Sequence, residues 1–132
     1  MTTGDEPAAR QMLDPQRILR SRRLVHAIYA DDRIKEYALD LVTATRRPAE
    51  VGLGDLTPLI EFGASPRAGI FLLRAAKAHA FLQGRPYVTP DDIKALGLDV
   101  LRHRVILTYR ADAEGMSPDA VVRRILEAVP VP

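Results

Sequence analysis

The segment GASPRAGIFLLRAAKAHAFLQG, residues 63–84, carries more structural information than any other part of the chain. Ser65-Pro66 reads as a helix start: a cap oxygen followed by an imino acid that has no N–H to leave unpaired. From Ala68 to Leu82 the run is apolar nearly all round, interrupted mainly by Arg74, Lys77 and His79. Such a helix is expected in the middle of a bundle, with Phe71 and Phe81 in the core and small Ala residues admitting close neighbours. Gly84 suits the left-handed residue that closes a helix.

The same start signal recurs on both sides. Asp14-Pro15, Thr89-Pro90 and Ser117-Pro118 repeat the cap-then-proline pair, and Asp91, Asp92 and Asp119 add negative charge at positive helix ends. Upstream, Asp31-Asp32 opens a helix with Ile34, Ala38, Leu41, Val42 and Thr45 on one stripe, ending at Arg46-Arg47 because Pro48 disfavours α geometry before it. Downstream, Ile93, Leu96, Val100 and Leu101 mark a helix that Gly97 is expected to break, and Val121 to Val129 mark the last one. Strand signals are confined to residues 87–89 and 105–109, too little for a self-sufficient sheet. Residues 48–64 hold Gly52, Gly54, Pro58 and Gly63 and read as a long loop, with one helical turn over residues 57–61. The prediction is an all-α small helical bundle with a long loop between its second and third helices, preceded by a disordered tail or linker over residues 1–12.

Composition narrows the chemistry. A chain of 132 residues with 47% hydrophobic and 27% charged residues is sized for one globular core. It has no Cys, which removes disulfides, thiolate zinc sites and cysteine nucleophiles. Nor does it contain an apolar run long enough for a bilayer or a signal peptide, so a cytoplasmic protein without a membrane partner is expected. Nineteen Lys and Arg against seventeen Asp and Glu leave only +2, and the basic clusters at residues 20–23, 46–47, 102–104 and 123–124 have acidic neighbours. Nucleic acid is therefore a disfavoured partner.

No enzyme site announces itself. His26, His79 and His103 have no metal-ligand spacing, so no metal ligands and no catalytic residues are assigned. Lys35, Lys77 and Lys94 do not follow Gly, so a Walker phosphate loop is missing from these residues. The one suggestive place is the approach to the apolar helix, where Arg67 falls in the first turn. There it is either a phosphate clamp reinforcing the positive end of the helix or a solvent-facing side chain beside an ordinary cap.

Residues 63–68, followed by the Leu/Ala-rich helix, resemble the sensor-2 segment of MoxR-family AAA+ ATPases. The resemblance continues through residues 84–93 (GRPYVTPDDI) and 100–104 (VLRHR), and upstream through residues 34–46 (IKEYALDLVTATR). It runs from about Met12 to Pro132, which makes residues 13–132 an AAA+ lid domain. What it implies is the helical lid of an ATPase, resembling an excised C-terminal domain, with no activity expected of this chain alone. By the resemblance Arg67 is the sensor-2 arginine, set by Ser65 and Pro66, with Ala64 and Ala68 bordering the nucleotide. The cofactor implied is ATP, with Mg2+ held by an α/β domain that these residues do not contain. The partners implied are that α/β domain, neighbouring subunits of an oligomeric ring, and von Willebrand factor A-type proteins. The function implied is coupling of ATP binding and hydrolysis to chaperone-like protein maturation. The alternative is a stand-alone helical module that binds protein or nucleic acid through Arg20–Arg23 and Arg102–Arg104.

Overall fold

A computed structural model describes residues 7–132. Of the expected tail, residues 1–6 lie outside the described residues, while residues 7–14 are exposed and form no helix or strand. The chain is mostly helical: α1 (Pro15–Ala27), α2 (Asp32–Arg46), α3 (Arg67–Leu82), α4 (Pro90–Leu101), α5 (Tyr109–Ala113) and α6 (Pro118–Ala128). Two short strands, β1 (Ile60–Phe62) and β2 (Ile106–Leu107), pair antiparallel with Ile60 opposite Leu107 and Phe62 opposite Ile106. Among the described residues no helix is long and apolar enough to cross a membrane.

Most helix starts follow their sequence signals. The Asp14 carboxylate accepts the Arg17 N–H at 2.7 Å, and the Ser117 hydroxyl accepts that of Ala120 at 3.1 Å. The stripe predicted for α2 is the buried one, with Ile34, Ala38, Leu41, Val42 and Thr45 all inside. Val121, Val122 and Ile125 of α6 close the core from another side, packing on α4 and α2.

Several expectations need correction. Gly97 does not break α4; it lies buried within it, where a Cβ would sit 2.7 Å from Leu126 Cδ2 of α6. Its missing side chain is what lets the two helices meet. Residues 48–64 hold more than the one helical turn expected over residues 57–61: 3-10 turns span Pro48–Val51 and Gly54–Leu59 before β1 takes residues 60–62, and Leu56 and Leu59 are driven into the core. The short helix α5 follows β2 within a stretch whose opening residues lean toward strand. Its start is set by Thr108, whose hydroxyl accepts the Ala111 N–H.

The third helix is central, yet it is not covered all round. Only Ala68, Leu72, Ala76 and Ala80 are buried, a stripe of i, i+4 spacing facing α4, α2 and α1. Phe71, expected in the core, is 41% exposed and Ile70 53%, while Phe81 is half-buried against the core. Apolar composition placed these residues on a helix; it could not say which neighbours the chain supplies for each face.

Candidate functional site

The N-terminal end of α3 is built from its approach. Gly63 passes so close to the end of α2 that a Cβ would lie 2.5 Å from the Thr45 carbonyl oxygen. Ala64, fully buried, donates its N–H to the Thr45 hydroxyl at 2.9 Å, and that hydroxyl donates to the Val42 carbonyl at 2.6 Å. Thr45 is itself fully buried. The chain therefore leaves this clamp in a fixed direction, and three residues later it is helical.

The entrance differs from the expected cap. Pro66 already has helical dihedrals, φ −54° and ψ −27°, and no side chain caps the helix. Instead the Ser65 and Pro66 carbonyls accept the N–H groups of Ala68 and Gly69, at 2.9 and 3.1 Å. The Ser65 hydroxyl is thus left for solvent. Ser65, Pro66 and Arg67 are exposed together, and Ala64 and Ala68 are buried on either side. The two alanines anchor the segment; their side chains do not line its outer surface.

Arg67 has no carboxylate partner among the described residues. Many other cations do: Arg33, Lys35, Arg47, Arg102, Arg110 and Arg124 each lie within 3.4 Å of one. An unpaired guanidinium, an exposed hydroxyl and the positive end of a sixteen-residue helix thus lie within three consecutive residues. That donor set suits an anion with several oxygens and offers nothing to a cation.

The other end of α3 is held by a buried carboxylate. Gln83 and Gly84 close the helix: Gly84 has φ +72°, its N–H bonds to the Phe81 carbonyl, and the Arg85 N–H bonds to that of Ala80. This turn aims Arg85 at Asp92, and the guanidinium forks onto both carboxylate oxygens at 2.9 and 2.5 Å. Asp92 also accepts from the Thr89 N–H at 2.8 Å and meets His79 Nδ1 at 2.6 Å. Its side chain is 1% exposed. Burial alone pushes the carboxyl up, but the bonds from Arg85, Thr89 and His79 prevail and hold it well below the usual carboxylate range. His79 is thus a satisfied structural residue, and Asp92 the hub joining α3 to α4.

The basic clusters separate into two kinds. Arg102 pairs with Asp99 at 3.1 Å and Asp119 at 3.4 Å. Arg104 contacts His103 and lies 5.0 Å from the centre of the Phe71 ring. Residues 102–104 are therefore engaged within the fold. Arg20, Arg22 and Arg23 of α1 are exposed and take part in no ion pair among the described residues. Among those residues, too, no group of three or more His, Asp or Glu is placed to hold a metal ion.

A family model described as an AAA lid domain matches residues 56–125. The chain is 38% identical over 126 residues to the chaperone MoxR1 of Mycobacterium tuberculosis, covering 96% of this chain and 33% of that protein. It is also 38% identical to protein MoxR of Methylorubrum extorquens, over 81% of this chain and 33% of that one. The crystal structure of a proposed ATPase from Cytophaga hutchinsonii superposes with a TM-score of 0.86 at 42% identity, covering 89% of this chain and 36% of the other. The chain thus spans about a third of the length of the relatives it matches.

Proposed function

The chain belongs to the AAA lid domains of the MoxR family, and on that premise we propose that Arg67 acts as the sensor-2 arginine of a MoxR-type ATPase. The observation that carries this reading is the exposed, unpaired Arg67 at the N-terminus of α3, held in direction by the Thr45–Ala64 clamp. Residues 13–132 form the lid, and an α/β domain of the same protein holds ATP and Mg2+. In the assembled enzyme Ser65, Pro66 and Arg67 face the phosphates, while Ala64 and Ala68 fix them from behind. ATP supplies the polyanion; this chain supplies a planar fork that can grip two of its oxygens.

The consequence for the lid is mechanical. A fixed positive charge on one domain is drawn toward a nucleotide on the other, and the draw weakens once the terminal phosphate is gone. Lid position then reports nucleotide state to neighbouring subunits of a ring. The likeness to a chaperone supports a role in maturing other proteins; von Willebrand factor A-type proteins as the partner class, and the cytoplasm as the setting, belong to the same proposal and rest on the sequence resemblance alone.

The test is steady-state hydrolysis by the full-length parent enzyme. Arg67→Ala should lower turnover by about 10- to 1000-fold, the range for losing a charged donor at a developing phosphoryl charge. Arg67→Lys should recover only part, because an ammonium keeps charge without the fork. Arg33→Ala is the control: Arg33 is likewise a first-turn arginine, but it is tied to Asp31 at 3.1 Å. Equal turnover of wild type and Arg67→Ala would remove Arg67 from the site.

A further inference from the structure

The distribution of charge over the fold is uneven in a way the overall balance hides. Helices α1 and α3 pack against each other, and neither contains a single Asp or Glu. Together they carry Arg17, Arg20, Arg22, Arg23, Arg67, Arg74 and Lys77, seven of the chain's nineteen cations. The rest of the chain is left with twelve cations against seventeen carboxylates. A net charge of +2 is thus a positive pair of helices set on a negative body.

A groove of about 460 Å³ runs between these two helices, lined by Arg22, Val25, His26, Arg74, Lys77 and Ala78. Arg22 and Arg74 are exposed, and neither they nor Lys77 meets a carboxylate among the described residues. Among the described residues Lys77 Nζ donates only to the His26 carbonyl, at 3.2 Å, which holds its charge over the groove. Val25 and Ala78 make the floor apolar. Arg74 lies seven residues along α3 from Arg67, about 10 Å at the helical rise, so this groove is separate from the phosphate-facing end.

We propose that the α1–α3 groove is a docking site for an acidic polypeptide segment. Three cations on the rim complement carboxylates, and the apolar floor accepts the aliphatic part of Glu or small apolar side chains between them. Nucleic acid fits less well. The one ring in the lining on which a base could stack is His26, and the negative remainder of the surface opposes a long phosphate backbone. The basic cluster at Arg102 and Arg104 is instead engaged by internal contacts.

The test uses the whole chain and a fluorescein-labelled deca-glutamate peptide, read by fluorescence anisotropy at low and physiological salt. Wild type should bind, and binding should weaken several-fold as salt rises. The combined variant Arg22→Glu, Arg74→Glu, Lys77→Glu should bind at least about tenfold more weakly, whereas Arg110→Ala, an arginine paired with Glu114, should bind as wild type does. Should charge reversal unfold the chain, the milder set Arg22→Gln, Arg74→Gln, Lys77→Gln replaces it, with melting curves as the check. No binding by wild type, or unchanged binding by the folded variant, overturns the proposal. Tighter binding of a labelled 20-nucleotide single-stranded or duplex DNA than of the peptide overturns it in favour of nucleic acid.

Discussion

Thr45 ties α2 to the approach of α3 through one hydroxyl. Replacing it with Val keeps the shape but strands the buried Ala64 N–H, so Thr45→Val should destabilise by about 1–3 kcal/mol. Thr45→Ser, which retains the hydroxyl, should recover much of that; urea titration of the three proteins measures both. Asp92 offers a second test, through pH. Its folded pKa lies below the ordinary carboxylate value near 4, so the stabilisation it brings is fully present above about pH 4 and is lost as pH falls further. The melting temperature should therefore drop on acidification below that point, and Asp92→Asn should flatten this part of the curve. At neutral pH the same substitution should cost toward the lower end of the ~3–5 kcal/mol for breaking a buried ion pair, because Arg85 stays partly solvated. At this scale the sequence was half legible. Arg67 stood out from its place after a helix start, and Thr45 from its place in an apolar stripe. That Thr45 meets Ala64, nineteen residues on, is a tertiary fact with no local signal.

Elements were legible wherever a cap and a period agreed, as at α1, α2, α4 and α6. They were lost where one local preference conflicted with packing: Gly97 looked like an interruption because its use, room for Leu126, lies on another helix. The 3-10 turns were obscured by Gly and Pro, residues that serve loops and tight helices alike. Two other glycines make opposite predictions from the same kind of observation. Beside Gly69 a Cβ would meet Val42 Cγ2 at 3.9 Å and the Ala38 carbonyl at 4.0 Å, ordinary contacts. Gly69→Ala should therefore stabilise α3 by about 0.5–1 kcal/mol. At Gly63 the neighbour is rigid backbone at 2.5 Å, so Gly63→Ala should destabilise by at least the ~1–3 kcal/mol of an overpacked site. Thermal melts of the two variants should shift in opposite directions.

The whole molecule has a core that ends before its apolar surface does. Leu72 is fully buried and Phe71, its neighbour in sequence, is not. Leu72→Ala should thus cost about 2–5 kcal/mol, and Phe71→Ala roughly 1 kcal/mol, mostly its contact with Arg104. Chemical denaturation separates the two, and equal losses would mean that α3 is enclosed on both faces. The helix that carries Arg67 is held at one end through the Thr45–Ala64 bond and at the other through the Arg85–Asp92 fork. It resembles a beam clamped at both supports. If a nucleotide pulls on Arg67 as proposed, these two supports would pass the load into α2 and α4 rather than let the beam slide or tilt alone. On that reading a small local tug would become rotation with little wasted in bending, which is what a crank requires of its arm.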